Sequence, residues 1–451
     1  MTRAEGDSAW LPAAVPVGYN KEKHSGESYS MATTRKHYSR RDILAGLGAM
    51  AAGGALFDYS SIAMAGKPDG LIKDIRRSVI FAGRSKTSKG SWFHARACIV
   101  PTSDGPLALM TTQHITGSDY FHPVCWTISR DLGRTWSEPR PIPGMGRRPF
   151  EGDIEVGVCD VVPEYHASTR TVSAIGHNVF YRKGKLFRPQ PPRCPVYSVR
   201  DADGKWSEPE KIIWDDPRGS QIYSCGSSQR VTLTGGDLLI PIIFASKGRY
   251  NRQVTSLRCS FDGRKIMVKE SGSALGLPQK RGLGEPSLTS FGGRFWMTLR
   301  AEDDHGHVSV SDDGLQWSKQ KPWSWDDGRP LAMSSTQQHW LTHGDGLFLV
   351  YMRRTKDNAK VFRWRAPLFV AQVDPERRCL IRETERVALP LAGDAIRKPK
   401  WVARMGNFGV CNVTPDQSWI TVGECIPPDG WRGDTLLARV VWNRPNRLVE
   451  N

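Results

Sequence analysis

The sequence has 451 residues, a hydrophobic fraction of 39%, and 63 basic against 46 acidic side chains, for a formal net charge of +17 at neutral pH. Such a field favours acidic partners. The positive residues are scattered and stand beside no nucleic-acid-binding motif, so the charge lends slight support to an acidic glycan substrate and none to nucleic-acid binding. Nine cysteines, an odd number spread singly without a Cys-x-x-Cys, argue against a metal cluster or a dense disulfide framework and are expected as buried small apolar residues. The sequence contains no His-Glu-x-x-His, P-loop or dinucleotide pattern, and neither metal nor cofactor is expected.

In chain order, the first element is a targeting segment. Ser39-Arg40-Arg41-Asp42-Ile43-Leu44 fits the twin-arginine pattern, an Ala- and Gly-rich apolar run follows to Leu56, and Ala63-Met64-Ala65 offers a cleavage site. The run is too short and weak for a stable membrane helix. Cleavage after Ala65 is expected, with Met31 an alternative start, and places the protein in the periplasm or outside the cell. Residues 1–65 are thus a leader and residues 66–451 the folded domain, in which no linker is evident.

The remainder reads as short apolar runs separated by turn clusters: Ala97–Val100, Leu107–Thr111, Val172–Ile175, Leu238–Phe244, Phe295–Leu299, Gly346–Tyr351, Leu368–Val373 and Trp419–Val422. This spacing predicts an all-β fold. Ser129-Arg130-Asp131-Leu132-Gly133-Arg134-Thr135-Trp136 predicts a hairpin corner, with Asp and Gly forming the turn and Trp packing beneath it. Weaker copies follow. Asp201-Ala202-Asp203-Gly204-Lys205-Trp206 shifts the Gly by one. Asp312-Asp313-Gly314-Leu315-Gln316-Trp317 has Val310 where Ser is expected, and Ser260-Phe261-Asp262-Gly263 is a more eroded version. Internal similarity of this kind marks a repeat architecture. Sixteen tryptophans suit a propeller, and six blades of roughly 60 residues would use nearly all of 66–451.

The Ser-x-Asp-x-Gly-x-Thr-Trp corner is the Asp box, and over most of 90–425 the chain resembles the sialidase superfamily, in particular its bacterial Asp-box repeat members. The resemblance implies a six-bladed β-propeller with three arginines holding a substrate carboxylate. A guanidinium suits that task because it pairs bidentately with a carboxylate and keeps its charge. The matching positions are Arg96 in Phe93-His94-Ala95-Arg96, Arg300 fifteen residues after Glu285 in Gly284-Glu285-Pro286, and Arg365 before Leu368-Phe369-Val370, with Arg363 a near competitor. The general acid of the family lies between the first arginine and the first box, where Asp119 stands in Gly117-Ser118-Asp119-Tyr120. The family nucleophile is a Tyr activated by the Glu that Glu285 matches. Here Asn407 occupies the Tyr place in Met405-Gly406-Asn407-Phe408, and no Tyr follows Tyr351.

Three readings follow from that departure. Asp119 and Glu285 form an acid–base pair of a glycoside hydrolase, with Glu285 activating water. Alternatively, the arginines neutralise a uronic acid while a His or Tyr removes its C5 proton, with His94, His122, His177, Tyr120 and Tyr181 as candidates for this lyase. In the third reading the propeller binds glycans without turnover. The acidic stretch Glu151-Gly152-Asp153-Ile154-Glu155, with Asp160 after it, puts alternating carboxylates on one strand face; such a run can reach a cation or a cleft, is more often a solvated edge, and is assigned no role.

Overall fold

A computed structural model of the chain describes residues 70–333 and 335–449. The twin-arginine segment and its cleavage site lie outside the described residues. The fold is a six-bladed β-propeller. Blade 1 runs from Ser91–Val100 to Arg140–Pro141, blade 2 from Ile154–His166 to Glu210–Lys211, blade 3 from Ile222–Ser224 to Ile266–Ser271, blade 4 from Leu283–Phe291 to Lys321–Pro322, and blade 5 from His339–His343 to Cys379–Leu380. Blade 6 is built from Gly409–Thr414, Gln417–Cys425 and Thr435–Trp442, and its outer strand is Ile72–Phe81 from the other end of the domain. That strand runs antiparallel to Thr435–Trp442, Ile72 opposite Trp442 and Phe81 opposite Thr435. The pairing closes the ring and covers a sheet edge that would otherwise be open to other chains.

Leu107–Ile115 and Leu238–Ala245 are buried along nearly their whole length instead of alternately. The physical reason is that neighbouring blades cover both faces of each sheet. The apolar side chains accordingly form layers between blades. Trp419 and Leu437 of blade 6 meet Ala97 and Met110 of blade 1, and Leu239 and Val254 of blade 3 meet Leu288 and Met297 of blade 4. All nine cysteines are free, eight of them buried and Cys411 half-buried. No helix among the described residues is long and apolar enough to cross a membrane.

The predicted corners join the third and fourth strands of their blades. In blade 1, Ser129 Oγ donates to Asp131 at 2.8 Å and accepts from the Gly133 amide, while Asp131 also accepts from the Arg134 and Thr135 amides. The blade 4 copy is more complete than its sequence suggests. Ser311 Oγ donates to Asp313 and accepts from the Gly314 amide, so Ser311 and Asp313, not Val310 and Asp312, hold the turn, one residue shorter than its blade 1 counterpart. Asp201, Asp262 and Asp374 accept backbone amides at the same point of blades 2, 3 and 5. The Trp of the corners in blades 1, 2 and 4 reaches back to the preceding blade. Trp136 packs on Trp419 at 6.0 Å between ring centroids, Trp206 packs on Trp126 at 6.1 Å, and Trp317 Nε1 donates to Ser256. These tryptophans staple blades together. Trp419→Ala should therefore destabilise the domain by about 3–5 kcal/mol through the cavity left at the blade 6–blade 1 junction, measured as a lowered chemical-denaturation midpoint.

Candidate functional site

The innermost strands of blades 1, 2 and 4 share a feature that the sequence does not display. Each carries a one-residue bulge, between Phe93 and Arg96, between Cys159 and Val162, and between Gly284 and Ser287. Each bulge holds one non-glycine residue at positive φ: His94 at 53°, Asp160 at 57° and Glu285 at 39°. Left-handed backbone costs such residues on the order of 1 kcal/mol each and persists only where the surroundings impose it. A bulge re-aims side chains, and here it turns all three residues toward one cleft on the propeller axis.

Below them lies a buried polar layer. Arg96 donates to Asp160 Oδ1 at 2.9 Å and to Ser227 Oγ at 2.8 Å, and Asn407 Nδ2 donates to the same two atoms at 2.9 and 3.0 Å. Burial would raise the Asp160 carboxyl, but His94, Arg96 and His177 and the Asn407 hydrogen bond outweigh it and hold Asp160 well below the usual carboxylate range. The layer separates two cavities. The one above is the cleft, about 560 Å³. The other, about 540 Å³, is lined by residues farther along the same inner strands, Arg96 among them. The structure thus corrects the placement of Arg96. Its guanidinium is buried, spent on Asp160, and does not line the cleft, because the bulge presents His94 there instead.

The other four expected residues do converge on the cleft. Glu285 Oε1 accepts from Arg300 Nη1 at 2.8 Å, while its buried Oε2 has no partner among the described residues. Arg300 also donates to Glu302 at 3.2 Å and from Nε to Ser335. Arg365 donates to the Met405 carbonyl at 3.0 Å, and enclosure draws its guanidinium down to about 10 against the pull of Glu285. Asp119 stands exposed on the blade 1 rim at φ 54°. The Tyr181 hydroxyl donates to its carbonyl at 3.0 Å, and Arg147, packed over the Tyr120 and Tyr181 rings, anchors the chain two residues on by donating to the Phe121 carbonyl.

No tyrosine is among the residues lining the cleft. Tyr181 is buried with its hydroxyl committed to Asp119, and burial raises its phenol well above the ordinary value. Of the histidines, His94 and His177 line the cleft and His122 does not. Burial lowers His94 to about 4, so it is neutral at pH 7, and burial together with Arg193 lowers His177 well below its ordinary value. Cys159, Asp160 and His177 place one ligand atom each within 4.8 Å of one another, a geometry that could hold a cation. The electrostatics oppose it: Asp160 Oδ1 is already bound to Arg96, and burial raises the Cys159 thiol well above the usual range.

No protein-family model and no curated protein matches the sequence. Solved structures do match. A Dyadobacter fermentans protein of unknown function aligns with a TM-score of 0.58 and 13% identity, covering 82% of this chain and 100% of its own. Trypanosoma rangeli sialidase in complex with sialic acid aligns with a TM-score of 0.57 and 13% identity over 82% of this chain and 59% of its own. The chain has the sialidase-type propeller fold. A mutant of NanB sialidase from Streptococcus pneumoniae gives a TM-score of 0.52 at 10% identity, over 81% of this chain and 70% of that one. At identities this low the structural likeness shows the fold alone and leaves its chemistry to the site.

Asp160 and Ser227 were not legible as site residues of this propeller, and His94 was legible only as a candidate base. Asp160 follows an acidic stretch of which Asp153 does prove to be a surface residue, paired with Arg182, and no spacing signals the bulge that turns Asp160 inward. Two outcomes test the buried layer. Asp160→Asn strands the buried Arg96 charge and should cost about 3–5 kcal/mol of stability, read from chemical denaturation. Stability should also fall on acidification. His94 and the buried His339, whose Nδ1 shares a hydrogen bond of 2.7 Å with Ser287 Oγ, take protons at about 6.5 in the unfolded chain but only at about 4 and about 3 when folded. The unfolded state therefore binds more protons across that window, and stability is lost as pH drops below about 6.5. His339→Gln should flatten the fall in melting temperature between pH 7 and pH 4.5.

Proposed function

We propose that the protein is a glycoside hydrolase acting on a carboxylate-bearing glycan. The observation that carries this reading is the meeting of Arg300, Arg365, Glu285 and Asp119 in one cleft. Arg300 and Arg365 would hold the substrate carboxylate through charge-assisted hydrogen bonds. Glu285, with Oε2 unengaged among the described residues, would take a proton from water as the water oxygen bonds to the anomeric carbon. Asp119 would give its proton to the departing glycosidic oxygen across the cleft. Direct attack by water inverts the anomeric carbon. It also accounts for Asn407, an amide that cannot act as a nucleophile and that serves the buried layer instead. Export by the twin-arginine route would deliver the folded enzyme to extracellular or periplasmic glycans.

Glu285→Gln should abolish turnover, a loss of at least 10³-fold in kcat, with the melting temperature close to that of the wild type; full activity in the variant rejects the assignment. Arg300→Gln and Arg365→Gln should raise KM for acidic glycans far more than for neutral ones.

A second reading is favoured by one observation, that His94 and His177 face the cleft in neutral form beside the arginines. Such a histidine could take the C5 proton of a uronic acid while the C4–oxygen bond breaks. The product mass separates the readings. Sialosides and uronic-acid oligosaccharides incubated with the protein should give products that together gain the mass of one water. Products with no mass gain and a new ultraviolet-absorbing double bond would replace hydrolysis by elimination, and an unchanged panel would leave a glycan-binding propeller.

A further inference from the structure

The cleft is lined by eight arginines against four carboxylates. One of those carboxylates, Asp160, is already paired with Arg96. A single substrate carboxylate on Arg300 and Arg365 therefore leaves most of the positive charge unanswered. Arg193 and Arg252 hold a defined part of that excess. Arg281 pairs with Glu302, and Arg300 pairs with Glu285 and Glu302. Arg193 donates only its Nε, to the Asn178 carbonyl at 3.0 Å, and the half-buried Arg252 guanidinium makes no hydrogen bond or ion pair among the described residues. Burial first, and then the nearby Arg193, Arg281 and Arg300, draw Arg252 down to about 10, and a bound anion would offset both.

The two residues also share a built position. Arg193 precedes the third strand of blade 2, Pro195–Arg200, and Arg252 precedes that of blade 3, Gln253–Phe261. Arg365 precedes the third strand of blade 5, and Asp119 that of blade 1, in the same way. Each arginine is pinned to the next blade by its backbone. The Arg193 amide donates to Gln221 O and its carbonyl accepts from Tyr223, while the Arg252 amide donates to Arg281 O and its carbonyl accepts from Leu283. The second of these contacts needs Gly282, where a Cβ would lie 2.3 Å from the Arg252 carbonyl. Guanidiniums on a backbone this rigid are preorganised for a planar or tetrahedral oxyanion.

We infer that Arg193 and Arg252 form a second oxyanion site in the cleft, so that the ligand is a glycan bearing at least two anionic groups, the second a sulfate ester or another carboxylate. The inference rests on the acidic-glycan reading for its first anionic group only. Arg300 and Arg365 take one carboxylate on the blade 4–blade 5 side, and Arg193 and Arg252 take the second group on the blade 2–blade 3 side.

Isothermal titration of the whole chain at constant ionic strength tests it with thio-linked analogues, which resist hydrolysis. The probes are a disaccharide with one uronic carboxylate, the same disaccharide with one added sulfate ester, and a trisaccharide with two uronic carboxylates. The wild type should bind at least one of the dianionic probes tenfold or more tighter than the monoanionic one, and the tighter of the two identifies the group. Arg252→Gln should erase that gain while leaving the monoanionic probe within about twofold. Its melting temperature should be equal to or above the wild type's, since a crowded charge is removed. Arg193→Gln repeats the test in an independent variant. A gain that survives in both variants, or no gain in the wild type, overturns the second site. Unchanged binding of the monoanionic probe by Arg300→Gln overturns the carboxylate assignment instead, and leaves the second site standing if Arg252→Gln still loses its gain.

Discussion

The buried contact of Arg96 with Asp160 is the interaction on which the centre of this propeller depends. It joins blade 1 to blade 2, and through Ser227 and Asn407 it adds blades 3 and 6 at the same point on the axis. A buried ion pair is not a strong source of net stability, because both groups lose their water. Its consequence is positional. A charge on the axis has to be matched, so the inner edges of four blades are tied together at one level, and the cavity above that level is separated from the one below. Asn407 suits this layer for the same reason that it cannot be a nucleophile: it is a small neutral amide with donors to spend.

The cleft is built by backbone irregularity. Regular strands would alternate their side chains across the sheet, whereas a bulge at His94, Asp160 and Glu285 shifts that alternation by one at equal depth in three blades. Local strain at these residues is sustained by the interblade apolar layers and by the tryptophan staples around the rim. The packing between blades thus supports a strained, polar centre. The cleft electrostatics depend on enclosure too, since burial keeps the histidines neutral and leaves arginine as the dominant charge.

Much of the fold was legible in the sequence because its signals are local. Short apolar runs, Asp-Gly corners and spaced tryptophans report strand, turn and blade without reference to distant residues. The blade 4 corner shows where this fails: Ser311 and Asp313 hold the turn with one residue fewer, and a fixed spacing rule assigns the wrong pair. The site was legible only in part. Asp119, Arg300 and Arg365 line the cleft from beside a turn or strand end, whereas Glu285 is turned there by a bulge. Arg96 was misplaced because one extra residue in its strand exchanges inward for axial, and no residue type near it announces the bulge.

Taken alone, the sequence determined the all-β repeat, the run of strands and corners and the excess of arginine, since these depend on residue type and on neighbours within a few positions. The tertiary structure decided which arginines face the cleft, which one is spent on Asp160, and that Arg193, Arg252 and Arg365 occupy like positions in different blades. Those outcomes depend on closing the ring between Ile72–Phe81 and Thr435–Trp442, which brings residues hundreds of positions apart to a common axis where burial and charge then select their partners.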